Sequence, residues 1–313
     1  STHKAKIDAM GRAQALLEAN QHDGVQVTRE VDDSGEEVVF QQECAGQAEK
    51  PITIAPIEEA AVCATLDDLY GFDSRKTIGR VLRHYFDENS LTPTELLHSP
   101  GVLRQLSRTD RLYNQAIHRI SSIQARALDV PAMDRVDLLF KLGQQAIDRV
   151  RNAGDVSSYL PVMNENGLTA ALKAIEETCE QKSRSFTTGV MLAGYLEQQR
   201  DWNKKIGLVC DMLDKQPQTD ALAILDELCA EIIDGSAAMK ELLGVQTDLV
   251  TALRTMAQLA AGTLKLPDGS GSILSRLNDA MGRRHMPVTR AILFESVAKA
   301  VGSAQPLTRQ DDK

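Results

Sequence analysis

The chain has 313 residues, which is enough to bury one large hydrophobic core or two ordinary ones. Aromatic residues make up 4% of it, while Leu, Ala, Glu, Gln and Arg recur throughout, so the composition favours helices. The formal net charge of −9 argues against a broad nucleic-acid-binding surface, because neutralising phosphates needs clustered Lys and Arg.

Cysteine usage predicts a reducing compartment. The cysteines stand at positions 44, 63, 179, 210 and 229, and no two form a CxxC pair. Unpaired cysteines in apolar, helical surroundings are typical of reduced thiols in a cytosolic protein. The sequence contains neither a signal peptide nor an apolar run long enough to span a bilayer, so we expect a cytoplasmic protein. Because the chain starts at Ser1 rather than at a methionine, we expect it to be a piece of a longer protein.

The first fifty residues predict a helix, a β-hairpin and a linker. Apolar residues follow a helical spacing over 3–19, and the period changes to two over 25–42, where a turn at 32–35 separates two alternating segments. This second stretch predicts a hairpin, or an extended arm that becomes ordered on a partner. The side chains that we expect to contact a partner are Val25, Val27, Val31, Val38 and Phe40.

From Pro56 onward the pattern is helical. Thr92 to Glu95 is a capping box with proline at the first helical position, and we expect one long helix from Phe186 to Leu213. The prediction is a mainly α fold: one or more irregular bundles of antiparallel helices with a small N-terminal β-hairpin or arm. We expect a helix, hairpin and linker over 1–50, helical subdomains over 51–155 and 156–302, and a disordered tail over 303–313.

Residues 221–260 carry apolar residues in an alternating three-and-four spacing, which we call the 221–260 seam. It predicts either one forty-residue helix that pairs with a partner or two helices folded back as a hairpin. Gly235 followed by Ser236 favours the hairpin, since glycine commonly ends a helix and serine commonly caps the next. Leu249, Leu253 and Met256 are the seam residues that we expect at an interface, either with another protein or with a second copy.

No motif in the sequence predicts a catalytic, cofactor or metal site. Glu95 and His98 have the spacing of one ligand pair of a di-iron bundle, but such a site needs the pair twice. We interpret them as a capping residue and a helix-end histidine. Glu227 and Glu231 lie one helical turn apart, and we expect them on a solvated acidic face open to a basic partner.

A glycine-rich turn at 268–272 precedes a helix, and helix starts attract anions through their free amides. The turn lacks the lysine and the spacing of a P-loop, so a flexible turn capped by Ser272 is the main interpretation. As a minor alternative, an anion site would use Ser270, Gly271, Ser272, Arg276, Arg283 and Arg284.

These patterns predict a non-enzymatic, helical protein–protein interaction module. We expect a regulatory, scaffold or adaptor protein that docks partners through helix faces, with no cofactor and no nucleic acid. The alternative is an all-helical enzyme or small-ligand sensor whose acidic site residues are dispersed in the bundle.

Overall fold

The computed structural model describes residue 9 and residues 24–31, 35–43, 52–108, 110–266 and 272–303. The chain divides into two compact units, 1–52 and 53–313. The fold is mainly helical, as the composition predicts. Apart from residue 9, the expected helix over 3–19 lies outside the described residues, as do most of the linker before residue 51, the turn at 267–271 and most of the tail.

The first unit contains an antiparallel hairpin of β1 (Gly24–Val31) and β2 (Gly35–Glu43). Val27 is opposite Phe40 and Thr28 is opposite Val38, so Val39 is an extra residue in β2. This is the arrangement of a β-bulge, which bends and twists a strand locally.

The second unit is built from sixteen described helices. Those of its first half are α1 (Leu66–Tyr70), α2 (Phe72–Val81), α3 (Arg83–Asn89), α4 (Pro93–His98), α5 (Val102–Arg108), α6 (Asp110–Leu128) and α7 (Ala132–Arg151). Those of its second half are α8 (Tyr159–Asn166), α9 (Leu168–Thr178), α10 (Gln181–Leu196), α11 (Trp202–Asp214), α12 (Thr219–Ile233), α13 (Ser236–Leu243), α14 (Leu249–Ala261), α15 (Ile273–Arg283) and α16 (Pro287–Val301).

The capping box predicted at Thr92 forms as expected. The Thr92 hydroxyl accepts from the Glu95 backbone N–H at 3.1 Å, and the Glu95 carboxylate accepts from the Thr92 N–H at 2.8 Å. Proline stands at the first position of α4, where no intrahelical bond needs its missing N–H. The start of α4 is therefore determined by local chemistry.

The single helix predicted over 186–213 is wrong. The chain leaves α10 after Leu196 and starts α11 at Trp202. Asp201 caps the new helix, because its side chain accepts from the Lys204 backbone N–H at 2.9 Å. The apolar period continues through this break because both helices bury a face in the same core.

The 221–260 seam is neither one helix nor a two-helix hairpin. It forms three helices, α12, α13 and α14, with a second break at residues 244–248. Gly235 follows Asp234, the C-cap of α12, as predicted, but Gly235 is also the N-cap of α13, so Ser236 is the first residue of that helix and not its cap. Gly244 ends α13 with a φ of 65°, a left-handed conformation that favours glycine.

Helices α8 to α16 share one large hydrophobic core, to which most of the seam contributes. A second, smaller cluster lies around α6 and α7 and includes Cys63, Ile117, Val136, Leu139 and Leu142. Residues 53–313 nevertheless cluster as one unit. The subdomain boundary expected near residues 152–167 stays a prediction.

Among the helices that the structure describes, none is both long enough and apolar enough to cross a lipid bilayer.

Candidate functional site

An open groove of about 1160 Å³ lies where α13, the 244–248 loop, α14 and α16 meet the end of α12. Its apolar lining includes Met239, Leu243, Val245 and Met256. Met256 is buried, whereas the side chain of Val245 is fully exposed at 104% of its reference area. The volume is slightly above the range of about 300–1,000 Å³ that is usual for small-molecule pockets, and the groove is open, so it has room for a segment of polypeptide.

The groove exists because the seam breaks at Gly244. The loop after this glycine is held by three local hydrogen bonds: Gln246 Nε2 donates to the Leu243 carbonyl at 2.6 Å, the Thr247 hydroxyl donates to that of Thr251 at 3.2 Å, and Asp248 accepts from the Thr251 backbone N–H at 2.7 Å. The last of these bonds, the one between Asp248 and Thr251, caps α14. Gln246 is thus a locally satisfied polar residue, and the loop presents Val245 to solvent.

Unpaired positive charge lines the groove. Lys240 and Lys299 are exposed, and neither ammonium group makes a hydrogen bond or an ion pair with a described residue. Arg83 is not unpaired, since its Nη2 lies 3.9 Å from the Asp234 carboxylate and donates to the Asp234 carbonyl at 3.2 Å, but its buried Nε finds no acceptor within the part of the chain that the structure describes. Buried donors normally have partners, so Arg83 retains capacity for an acceptor from outside.

Two of the three acidic residues that line the groove, Asp234 and Glu295, are paired with cations. Arg80 donates two hydrogen bonds of 2.9 Å to Asp234 and one of 2.6 Å to Glu295. Lys76 donates to Glu295 at 2.9 Å. The hydrogen bond from Arg80 lowers the pKa of Glu295 to about 2, with help from Lys76. Glu241, the third, is exposed and accepts from the Asn203 backbone N–H at 3.1 Å, and it makes no ion pair with a described residue. Two lysines and one glutamate of the described groove thus lack a partner of opposite charge, which leaves an excess of positive charge.

The solvated acidic face expected at Glu227 and Glu231 is wrong. The Glu231 side chain is fully buried, where it accepts from the Thr94 backbone N–H at 3.1 Å and forms an ion pair with Arg75. Arg75 also reaches Glu227 at 2.8 Å. Asp226, on the same helix, accepts from the backbone N–H groups of 288 and 289 at 2.8 Å each and so caps α16. These carboxylates hold α2, α4 and α16 against α12, and the partly exposed one, Glu227, is already paired with Arg75.

Glu95 and His98 are structural residues, as the sequence suggested. Glu95 is buried in an ion pair with Lys205, and burial raises the pKa of Glu95 and lowers that of Lys205, while their mutual attraction opposes both shifts. His98 is bonded through Nδ1 to the Thr94 carbonyl at 2.9 Å. Within the described ranges, no three His, Cys, Asp or Glu side chains are grouped to hold a metal ion.

The residues expected at a partner interface lie in different surroundings. Leu253 and Met256 are buried in the chain's own core, and Leu249 is half-buried against it, so the seam closes mainly within the chain. Met256 also lines the groove. In the hairpin, Val27 is half-buried. The side chains of Val25, Val31, Val38 and Phe40 lie outside the described part.

The residues of the minor anion-site hypothesis do not form one cluster of free donors. Ser270 and Gly271 are outside the described residues. Ser272 caps α15 by accepting from the Ser275 backbone N–H at 3.2 Å. Arg276 is held at 2.7 Å by both Asp211 and Asp214. Arg283 contacts Asp279 at 3.5 Å, and Arg284 is half-buried at the end of α15.

Comparison with known proteins does not extend this description: no family model matches the chain, and no curated protein or solved structure is significantly similar to it.

Sequence reasoning missed the groove because its cations, Lys240, Lys299 and Arg83, come from three helices far apart in the chain. One local signal was available. Gly244 followed by Val245 puts a helix-ending residue directly before a large apolar residue, and Asp248 is a good N-cap for the helix that begins at Leu249. Together they indicate a loop that exposes Val245.

Proposed function

We propose that the chain is a non-enzymatic protein-interaction module whose groove receives an amphipathic helical segment with acidic residues. The observation that carries this proposal is the combination of an apolar lining with cations that have no described partner. An apolar helix face would cover Met239, Leu243 and Val245, and carboxylates beside it would meet Lys240 and Lys299.

Two further features support a polypeptide ligand. Met239 and Met256 are flexible side chains that can adapt to the shape of an apolar partner. The Arg83 side chain is 31% exposed at the groove, so a carboxylate on the segment could approach its guanidinium. The alternative of an all-helical enzyme or sensor gains less support, because Glu95 and Glu231, the two glutamates buried in the described part of the chain, are each held by a cation.

The experiment uses two synthetic helical peptides of equal length, one of leucine and glutamate and one of leucine and lysine, each with a fluorophore. Fluorescence anisotropy should give measurable binding of the Leu/Glu peptide and at least tenfold weaker binding of the Leu/Lys peptide. Charge reversal at the groove, in Lys240→Glu with Lys299→Glu, should weaken the binding of the Leu/Glu peptide by at least tenfold.

The matched control reverses two exposed lysines elsewhere, in Lys173→Glu with Lys182→Glu, so that the net charge changes equally. This control should bind the Leu/Glu peptide within a factor of three of wild type, and far more tightly than the groove variant. Equal losses in the two variants would mean that net charge governs binding, and the groove proposal would fail. The cytoplasmic location and the regulatory or scaffold role remain parts of the proposal.

A further inference from the structure

A second exposed apolar surface lies at the tip of the hairpin formed by α6 and α7. Seven large hydrophobic side chains are exposed among the described residues, and four belong here: Val62, Leu128, Val130 and Met133. Met133 is 63% exposed. Apolar side chains concentrated at one end of a molecule usually mark a contact surface. We call these four residues the hairpin tip.

Hydrogen bonds hold the hairpin tip in one shape. The Arg135 guanidinium donates to Gln124 Oε1 at 3.1 Å and to the Cys63 carbonyl, and Gln124 donates to the Ala61 carbonyl. The residues on both sides of Val62 are thus tied to the ends of α6 and α7. Val62 is therefore fixed beside the turn that carries Leu128, Val130 and Met133.

The charges around the hairpin tip have the opposite sign to those of the groove. Asp129, Asp134 and Asp137 are exposed, and none of their carboxylates makes a hydrogen bond or an ion pair with any residue that the structure describes. Arg126 is the cation nearest to Asp129 in sequence, and its Nε donates to the Ser122 carbonyl at 3.3 Å. Three free carboxylates beside an apolar patch match the groove, which has free ammonium groups beside an apolar lining.

From this match we infer that the hairpin tip of one copy docks into the groove of a second copy. The inference rests on the proposed function, since it names the ligand of the groove. Leu128, Val130 and Met133 would cover the apolar lining, and Asp134 and Asp137 would face Lys240 and Lys299. Two different surfaces meet in this contact, so a pair joined by one contact keeps one free tip and one free groove, and further copies extend it into a ring or an open chain.

The first test is the mass of the chain by light scattering over a concentration series. Wild type should grow beyond the dimer as concentration rises, and raised salt should weaken the assembly, because the paired charges are exposed. Charge reversal at the tip, in Asp134→Lys with Asp137→Lys, should weaken self-association by at least tenfold, and so should Lys240→Glu with Lys299→Glu. The matched control reverses two exposed acids elsewhere, in Glu165→Lys with Asp220→Lys, and changes the net charge by the same amount as the tip variant. This control should assemble like wild type.

Mixing provides the decisive measurement. Each variant alone sets a tip and a groove of like charge against each other, whereas in an equal mixture the tip of each variant meets a groove of opposite charge on the other. The mixture should therefore assemble although neither variant assembles alone. The chain that carries all four reversals should assemble again, since the charges are exchanged. A monomeric wild type at every concentration would overturn the inference, and so would assembly that neither reversal affects.

Failure of this inference is distinguishable from failure of the proposed function. If the Leu/Glu peptide binds the groove while wild type stays monomeric, the groove is a docking site for another protein and the tip contact is wrong. Cosedimentation of monomeric wild type with phosphatidylcholine vesicles, lost in Met133→Ser, would overturn the inference and assign the hairpin tip to a lipid surface.

Discussion

Lys205 on α11 and Glu95 on α4 form an ion pair in which each side chain is only 1% exposed. The second oxygen of Glu95 accepts from the Thr92 N–H and hydroxyl, so the carboxylate has a partner on both sides. The Lys205 ammonium also lies 5.9 Å from the centre of the Trp202 ring. A residue that caps one helix therefore anchors it to another helix.

We predict that Lys205→Met destabilises the fold by about 3–5 kcal/mol, because it leaves the Glu95 carboxylate buried without its cation. Urea unfolding followed by circular dichroism measures this change. The double variant Glu95→Gln with Lys205→Met should be more stable than Lys205→Met, because no unpaired charge remains. Lys204→Met, at the exposed neighbouring position, should change stability by less than about 0.5 kcal/mol. The ion-pair explanation would be contradicted if the double variant lost as much stability as the single variants Glu95→Gln and Lys205→Met lose together.

Gly189 on α10 lets that helix approach α4 closely. A methyl group at this position would overlap the imidazole of His98. We therefore expect Gly189→Ala to destabilise the fold by about 1–3 kcal/mol, as overpacking does in a dense core. The same substitution at Gly194, further along α10, places its methyl 3.8 Å from Leu160, an ordinary contact.

Gly194→Ala should be neutral or stabilising by up to about 1 kcal/mol, since alanine favours helix more than glycine does. Thermal unfolding of the two variants side by side measures both effects. The packing described for α4 and α10 would be incorrect if the two variants melted at the same temperature.

His98 should make the fold sensitive to acid. Burial lowers its pKa to about 4, and the charges of Arg75 and Arg149 act in the same direction. The imidazole stays neutral in the folded chain down to that pH, whereas in the unfolded chain it takes up a proton near its ordinary pKa of about 6.5. The unfolded state therefore binds more protons between these two pH values, and stability falls as the pH falls.

The expected loss from His98 is about 3 kcal/mol between pH 7 and pH 4, on the linkage relation. Urea unfolding at intervals of half a pH unit should give a shallower pH dependence for His98→Gln than for wild type over this range. His118→Gln, at an exposed position, should keep the wild-type slope. If His98→Gln also keeps it, the imidazole is not buried in its neutral form.

Leu253 distinguishes a seam that closes within the chain from one that closes between chains. It is 8% exposed and belongs to the large core, so Leu253→Ala should lower the free energy of unfolding by about 2–5 kcal/mol. The mass measured by light scattering should follow that of wild type at each concentration. A variant with wild-type stability and a smaller assembly would make Leu253 an interface residue instead.

Much of the second unit is readable from local signals. The helical composition, the capping box at Thr92 and the breaks near Pro131 and Gly154 all act within a few residues of the chain. The positions at which these helices end were harder to predict from the sequence. The apolar residues on either side of 197–201 and of 244–248 keep the same phase, because successive helices bury faces in one core, and a period that keeps its phase does not reveal where the direction of the chain changes.

The sequence by itself determined that the chain is mainly helical and where several helices begin, because propensity and capping are properties of neighbouring residues. Only the tertiary structure decided which charges are free. Glu95 and Lys205 are 110 residues apart, and Thr94 and Glu231 are 137 apart. No local pattern therefore shows that these carboxylates are buried and already have partners. Lys240 and Lys299, which look no different in the sequence, remain without a partner among the described residues of the groove. Pairing of charges depends on distance in space, and folding sets that distance.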